Sequence, residues 1–192
     1  MEGGIHAWKG FVAKGPPEVG MAYFPPGTTS EELVALAWLL EDGSRSFYSE
    51  IAKMLVGREA VNLFQKLAVD EESHKGSLFK IYQEISAPES IPGFPGSLIA
   101  TEPGETYLEG GIRLSEALDW AKEKRVKAIL ELSISLEANS QDLYLKMERR
   151  VEDKKAKKAF EVLSENEKNH LERLNSLFEK SLREEEEGKD SA

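Results

Sequence analysis

Hydrophobic residues recur every three to four positions along most of this chain, which is the spacing of an amphipathic helix. The first such stripe follows a helix-starting sequence at 29–32 (Thr-Ser-Glu-Glu) and reaches a break at Gly57. Further helical patterns cover roughly 58–86, 114–147 and 152–187. No stretch shows the alternation of a β-strand. The pattern therefore predicts four long helices.

Proline and glycine divide the chain into further parts. Residues 1–29 contain four prolines and six glycines, a composition that does not continue a helix. Residues 87–113 contain four more prolines, and we interpret them as a long connection between the second and third helices. The prediction is a leader over 1–29, followed over 30–192 by an all-α four-helix bundle with a long crossover between helices 2 and 3.

The second half of the chain repeats the first at an offset of 96 residues, without a gap. Leu40 matches Leu136, and Phe64 matches Phe160. The bundle is therefore predicted to consist of two repeated helical hairpins joined by the crossover.

Polar residues recur at the same offset on stripes that should face the core. Glu41 corresponds to Glu137, and a Glu-x-x-His pair occurs once in each half, so that both side chains of a pair share one helix face. The candidate metal ligands are Glu41, Glu71, His74, Glu137, Glu167 and His170. Four buried carboxylates repel one another unless cations compensate them, and two divalent ions would balance their charge.

This ligand set has a specific chemistry. Carboxylate oxygens with imidazole nitrogens suit iron or manganese, and the residue types do not choose between the two metals. The alternative is that these are solvated Glu and His side chains on helix surfaces. Two of the three histidines carry a Glu three residues earlier, at one repeat offset, which favours the metal site.

At these residues the sequence resembles the ferritin-like superfamily and, within it, the rubrerythrin-like proteins, over about residues 30 to 185. The resemblance implies a centre of two iron ions bridged by Glu71 and Glu167, with Glu41, Glu137 and the two histidines as terminal ligands. The four carboxylates would then be the catalytic residues of a di-iron oxidoreductase. It would reduce hydrogen peroxide or oxygen, with electrons from an external donor protein, and a homodimer is expected.

The sequence departs from the rubrerythrin pattern in two ways. It contains no cysteine, so a four-cysteine rubredoxin domain that would feed electrons to the site is absent. No additional third-helix Glu can be assigned either, since the candidate positions are Ile134, Ala138, Ser140 and Gln141. A ferroxidase or iron-storage protein of bacterioferritin type therefore stays open, as does a structural bundle with an inactive site.

Two polar residues, one in each half of the chain, are candidates for orienting the histidines. Asp70 and Asn166 each lie four residues before a histidine; we hypothesise that Asp70 orients His170 and Asn166 orients His74. The alternative is ordinary polar residues at a helix edge.

Two tyrosines and one glycine leave their roles open. Tyr48 and Tyr144 lie two helical turns after Glu41 and Glu137, and either donate to a ligand carboxylate or simply pack in the core. Gly43 either leaves room for a small oxidant near Glu41 or lets a neighbouring helix approach.

Charge and hydropathy restrict the partners. Lysine and arginine total 25 against 35 acidic residues, a net charge of −10 that disfavours nucleic acid and anionic lipid surfaces. The longest apolar run, Leu33 to Leu40, is far shorter than the roughly 20 residues of a membrane span. The N-terminus has no secretory signal pattern, so a cytoplasmic location is expected.

The leader carries a second, shorter resemblance. Residues 3–10 (Gly-Gly-Ile-His-Ala-Trp-Lys-Gly) look like the closing segment of a rhodanese domain, and an arbitrary glycine-rich leader is the alternative. A cysteine nucleophile is missing, which excludes sulfur transfer by this chain. His6 has no acidic partner nearby and is not expected to be a ligand.

Overall fold

Five α-helices dominate the protein, whose structure is a computed structural model that describes residues 27–99 and 104–190. The helices are α1 (Ser30–Met54), α2 (Arg58–Ile85), α3 (Leu114–Ala121), α4 (Val126–Arg150) and α5 (Lys154–Asp190). The long helices α1, α2, α4 and α5 form the predicted all-α four-helix bundle.

The first hairpin is α1 followed directly by α2. Thr29 caps α1 by accepting from the backbone N–H of Glu32, whose side chain accepts in return from the backbone of Thr29. The turn between the helices includes Gly57 at φ 139°, a backbone conformation that suits glycine. Because the turn is so short, α1 and α2 pack side by side in opposite directions.

The second hairpin, α4 and α5, repeats this arrangement. The side chain of Asp153 accepts from the backbone N–H groups of Lys155 and Ala156 at 2.8 and 2.9 Å, which satisfies free donors at the start of α5. Phe160 of α5 is fully buried, as is Phe64 at the matching position of α2. The internal repeat thus corresponds to a repeated structural unit.

The crossover between the hairpins differs in two respects from the prediction. It contains a short antiparallel strand pair, β1 (Tyr107–Leu108) with β2 (Ile112–Arg113), where no strand was predicted. The predicted third helix is also broken, because α3 ends at Ala121 and α4 begins at Val126. The segment 122–125 is Lys-Glu-Lys-Arg, and four consecutive charged side chains provide no apolar group to bury at the break.

The crossover packs tightly against α1. Leu108 of β1 is fully buried, and a Cβ atom placed on Gly43 would overlap the backbone carbonyl of Tyr107, at 2.9 Å from its carbon. Gly43 therefore permits the approach of the crossover backbone. Close approach of a neighbour is thus the role observed, although that neighbour is the crossover strand and not the helix that the sequence suggested.

Two apolar clusters fill the bundle, one on each side of a polar layer. One cluster includes Phe47, Ile51 and Phe64, and the other includes Leu33 and Phe160. Along each long helix, the residues of one cluster give way to buried polar residues before the other cluster begins. Within residues 27–99 and 104–190, no helix combines the length and the apolar character needed to cross a bilayer.

Candidate metal centre

The polar layer contains all six residues singled out as candidate ligands. Each long helix contributes at the same height of the bundle, and each of the six residues is at most 6% exposed. The residues are Glu41 from α1, Glu71 and His74 from α2, Glu137 from α4, and Glu167 and His170 from α5.

Both histidines direct the same nitrogen at the carboxylates. Nδ1 of His74 lies 3.2 Å from Oε2 of Glu41 and 3.0 Å from Oε2 of Glu71. Nδ1 of His170 lies 3.1 Å from Oε2 of both Glu137 and Glu167. The arrangement around one imidazole thus repeats around the other.

Glu71 and Glu167 lie between the two halves. Each of these carboxylates has one oxygen near the histidine of its own helix and the other oxygen near the histidine of the opposite hairpin. Oε1 of Glu167 lies 3.5 Å from Nδ1 of His74, and Oε1 of Glu71 lies 3.5 Å from Nδ1 of His170. Two groups of candidate ligands result, each with its donor atoms within 4.8 Å of one another, and both groups contain Glu71 and Glu167.

The two tyrosines connect the hairpins across this layer. The hydroxyl of Tyr48 on α1 donates to Oε1 of Glu137 on α4, and the hydroxyl of Tyr144 on α4 donates to Oε1 of Glu41 on α1. Each terminal carboxylate therefore has one oxygen bound to a tyrosine and the other facing a histidine. The tyrosines thus contact the candidate ligands in addition to packing in the core.

Crowding perturbs the acid–base properties of the layer. Burial raises the pKa of Glu41, but the charge of His74 and a hydrogen bond shared with Glu71 outweigh it and bring the pKa to about 2. Burial and the charges of Glu41 and Glu167 raise the pKa of Glu71 well above its ordinary value. Against the effect of burial, the Glu41 charge raises the pKa of His74, and a hydrogen bond with Glu167 lowers that of Glu137.

The donor set fits two divalent cations. Four carboxylates can balance four positive charges, and each of the two groups offers three carboxylate oxygens and one imidazole nitrogen. Without metal, protons shared among the carboxylates and histidines would reduce the negative charge of the layer instead, since buried like charges repel strongly. That these residues ligate metal stays a prediction from their chemistry and position.

Asp70 and Asn166 lie beside the outward nitrogens of the two histidines. The amide Nδ2 of Asn166 lies 3.1 Å from Nε2 of His74, and Oδ2 of Asp70 lies 3.5 Å from Nε2 of His170. Each residue thus lies next to the histidine that the sequence assigned to it. Their orienting role stays a prediction.

One contact was missed at the sequence level. Arg173, one turn beyond His170, donates to Oδ2 of Asp70 at 2.6 Å. The matching position in the first half is Ser77, so the repeat gave no signal for it. A cation three residues after the Glu-x-x-His histidine was the available clue.

The ligand groups contain no seventh carboxylate among the described residues. Ser140 is buried next to the layer, while Gln141 is partly exposed. Among the described residues, the two groups thus include no carboxylate in the place of the extra Glu that the sequence could not assign.

The fold resembles two solved structures. A hypothetical protein from Pyrococcus furiosus is 25% identical with a TM-score of 0.62, and the match covers 88% of this chain and 98% of that one. A Thermotoga maritima protein described as a ferritin-like diiron-carboxylate protein is 23% identical with a TM-score of 0.60, covering 80% and 96%. The chain thus has a ferritin-like helical bundle fold, as predicted.

Sequence comparison adds a more specific likeness for the second hairpin. The family model named Rubrerythrin matches residues 128–192, the part that carries Glu137, Glu167 and His170. No functionally curated protein matches the chain. The resemblance of residues 3–10 to a rhodanese segment finds no support in these comparisons, and those residues lie outside the described part of the chain.

Proposed function

We propose that the protein is a di-iron oxidoreductase of rubrerythrin type that reduces hydrogen peroxide, or oxygen, at the polar layer. The observation that carries this proposal is the pair of buried ligand groups that share Glu71 and Glu167. Such sharing holds two ions close together, and the carboxylate-rich donor set suits iron, with manganese as an alternative. The likeness to a ferritin-like diiron-carboxylate protein supports the same reading.

The protein residues supply binding and orientation. Two ferrous ions, when bound, would supply the two electrons that hydrogen peroxide needs to become water, and positive charge toward its oxygens. Tyr48 and Tyr144 donate to Oε1 of Glu137 and Glu41, which would leave Oε2, the oxygen that faces a histidine Nδ1, available to an ion. The apolar clusters on both sides of the layer limit the access of water.

An anaerobic Fe(II) titration, followed by separate mixing with hydrogen peroxide and with oxygen, tests the proposal. We expect two irons per chain and much faster oxidation of the site by peroxide. The matched control is Glu71→Gln, which removes the charge of a shared carboxylate and should reduce iron binding below two per chain. A wild-type chain that binds neither iron nor manganese would refute the proposal.

A ferroxidase of bacterioferritin type is the second candidate function. It is favoured by the lack of a seventh carboxylate among the described residues of the layer, because rubrerythrins use such a residue. In the same experiment it predicts faster oxidation by oxygen and continued iron loading beyond two per chain. Native mass then separates a hollow storage shell from a small oligomer.

The proposal has consequences for partners. Since the given sequence has no cysteine for a rubredoxin-type site, we expect the electrons to come from another protein or domain. A homodimer in the cytoplasm remains the expected setting, and neither nucleic acid nor membrane is expected to bind. Native mass spectrometry measures the assembly directly.

A further inference from the structure

The environments of the two histidines differ although their ligand geometry is repeated. His170 faces a carboxylate, with Oδ2 of Asp70 at 3.5 Å from Nε2, whereas His74 faces the neutral amide of Asn166. Asp70 and Asn166 occupy equivalent positions of the internal repeat. The inequality is therefore a specific departure from an otherwise repeated centre.

Arg173 holds the carboxylate of Asp70 in place. Its Nη2 donates to Oδ2 of Asp70 at 2.6 Å, and both side chains are about two-thirds or more buried. The position that matches Arg173 in the first half is Ser77, whose side chain carries no charge. Asp70 lies on α2, whereas His170 and Arg173 both lie on α5. The carboxylate of Asp70 therefore contacts two side chains of the neighbouring helix.

A cation bound at Nδ1 requires the imidazole proton to be on Nε2. On His170 that proton then points toward an anionic carboxylate, which favours electron donation from the ring to the ion. On His74 the proton meets the neutral amide of Asn166, which can accept it only with an uncharged oxygen. His170 is thus the better prepared ligand.

We propose that the two metal positions are unequal, and that the position formed with His170 and Glu137 binds its ion first because Asp70, held by Arg173, supports His170. This rests on the proposed two-metal function and adds an order of loading to it. Groups that orient metal-binding histidines change affinity about 10- to 100-fold in other sites. We therefore expect the first ion to prefer this position at least about 10-fold.

Other charges near His74 do not remove the difference. Lys75 follows His74 in the chain, but its Nζ is paired with Asp42 at 2.6 Å and with Glu72 at 3.3 Å. Asp70 lies on the same helix as His74 and its charge also acts on that ring. Its carboxylate oxygen, however, is directed at the Nε2 atom of His170.

The three histidines of the chain make the order measurable without activity. We would label histidine with ¹⁵N and add Zn²⁺, a diamagnetic ion that accepts carboxylate and imidazole ligands. The His6→Gln and His74→Gln variants assign the signals. At one Zn²⁺ per chain, a 10-fold preference should shift the Nδ1 signal of His170 in about three-quarters of the chains and that of His74 in about one-quarter, and a second equivalent should complete both shifts.

Substitutions test the cause of the order. In Asp70→Asn both imidazoles face amides, and the two signals should shift together. In the double variant Asp70→Asn/Asn166→Asp, His74 should shift first. Glu72→Gln removes an exposed charge of α2 that contacts Lys75 instead of an imidazole, and it should leave the order unchanged.

The outcomes separate the two proposals. Two zinc ions binding with simultaneous shifts, or with His74 first, would overturn the order while leaving the two-metal site intact. An order that survives in Asp70→Asn would overturn the role of Asp70. A chain whose histidine signals respond to no metal would overturn the proposed function together with this inference.

Discussion

At the scale of single residues, the internal repeat was the informative signal. It selected all six residues that meet in the polar layer, since a buried Glu or His is unusual and a repeated pair is more so. It could not show which tyrosine contacts which carboxylate, because that depends on how α1 and α4 face each other. Tyr48 and Tyr144 each contact the Glu of the other hairpin.

Replacing Tyr48 with Phe should destabilise the metal-free protein. The change leaves Oε1 of buried Glu137 with one hydrogen bond fewer, and an unsatisfied buried acceptor costs about 1–3 kcal/mol. Urea unfolding followed by circular dichroism measures the loss. Tyr82→Phe is the control, since its hydroxyl donates to the carbonyl of Ser90 at 3.3 Å near the surface. Equal losses in both variants would contradict a special role for Tyr48.

At the scale of elements, the capping and turn residues predicted where α1 begins and where the first hairpin turns, but the apolar spacing did not predict the break between α3 and α4. Thr29 marked the start of α1, and Gly57 marked the break between α1 and α2. The apolar spacing continues from Trp120 to Val126, so periodicity alone joined α3 to α4. The charged segment between them was the signal against a continuous helix, and the two-residue strands are too short for any alternating pattern.

Two glycines inside helices should respond to alanine with opposite signs. Gly43→Ala should destabilise the fold, because the added methyl group overlaps the carbonyl of Tyr107 and displaces the crossover. Gly76→Ala on α2 meets nothing within 4 Å and should stabilise the helix by up to about 1 kcal/mol. Thermal unfolding of both variants tests this. A stabilised Gly43→Ala protein would show that the crossover does not pack there.

At the scale of the whole molecule, the polar layer sets how stability depends on pH. Without metal, Glu71 and His74 have raised pKa values in the folded state, which therefore binds more protons than the unfolded state. The stability that this contributes is lost as pH rises above the ordinary pKa values, 4.5 for Glu71 and 6.5 for His74. Glu41, with a pKa lowered to about 2, contributes stability above 4.5 that is lost as pH falls toward 2.

The metal-free protein should therefore unfold at a higher temperature at about pH 5.5 than at pH 8. Metal binds deprotonated ligands, so the stabilisation gained from added Fe(II) should grow over the same interval. Differential scanning calorimetry with and without metal, under anaerobic conditions, measures both trends. In Glu71→Gln the metal-free decline should be smaller. A metal-free protein that is most stable at pH 8 would contradict this account.

Each ligand group draws on both hairpins, since the group around His74 includes Glu167 and the group around His170 includes Glu71. A single hairpin offers only three of the six residues, including one of the two shared carboxylates. Two copies of one hairpin, associated about a two-fold axis, would therefore build the same centre with two identical positions. Joining the copies in one chain frees them to diverge, and the pair Asp70 and Asn166 is a difference that a symmetric dimer could not have had.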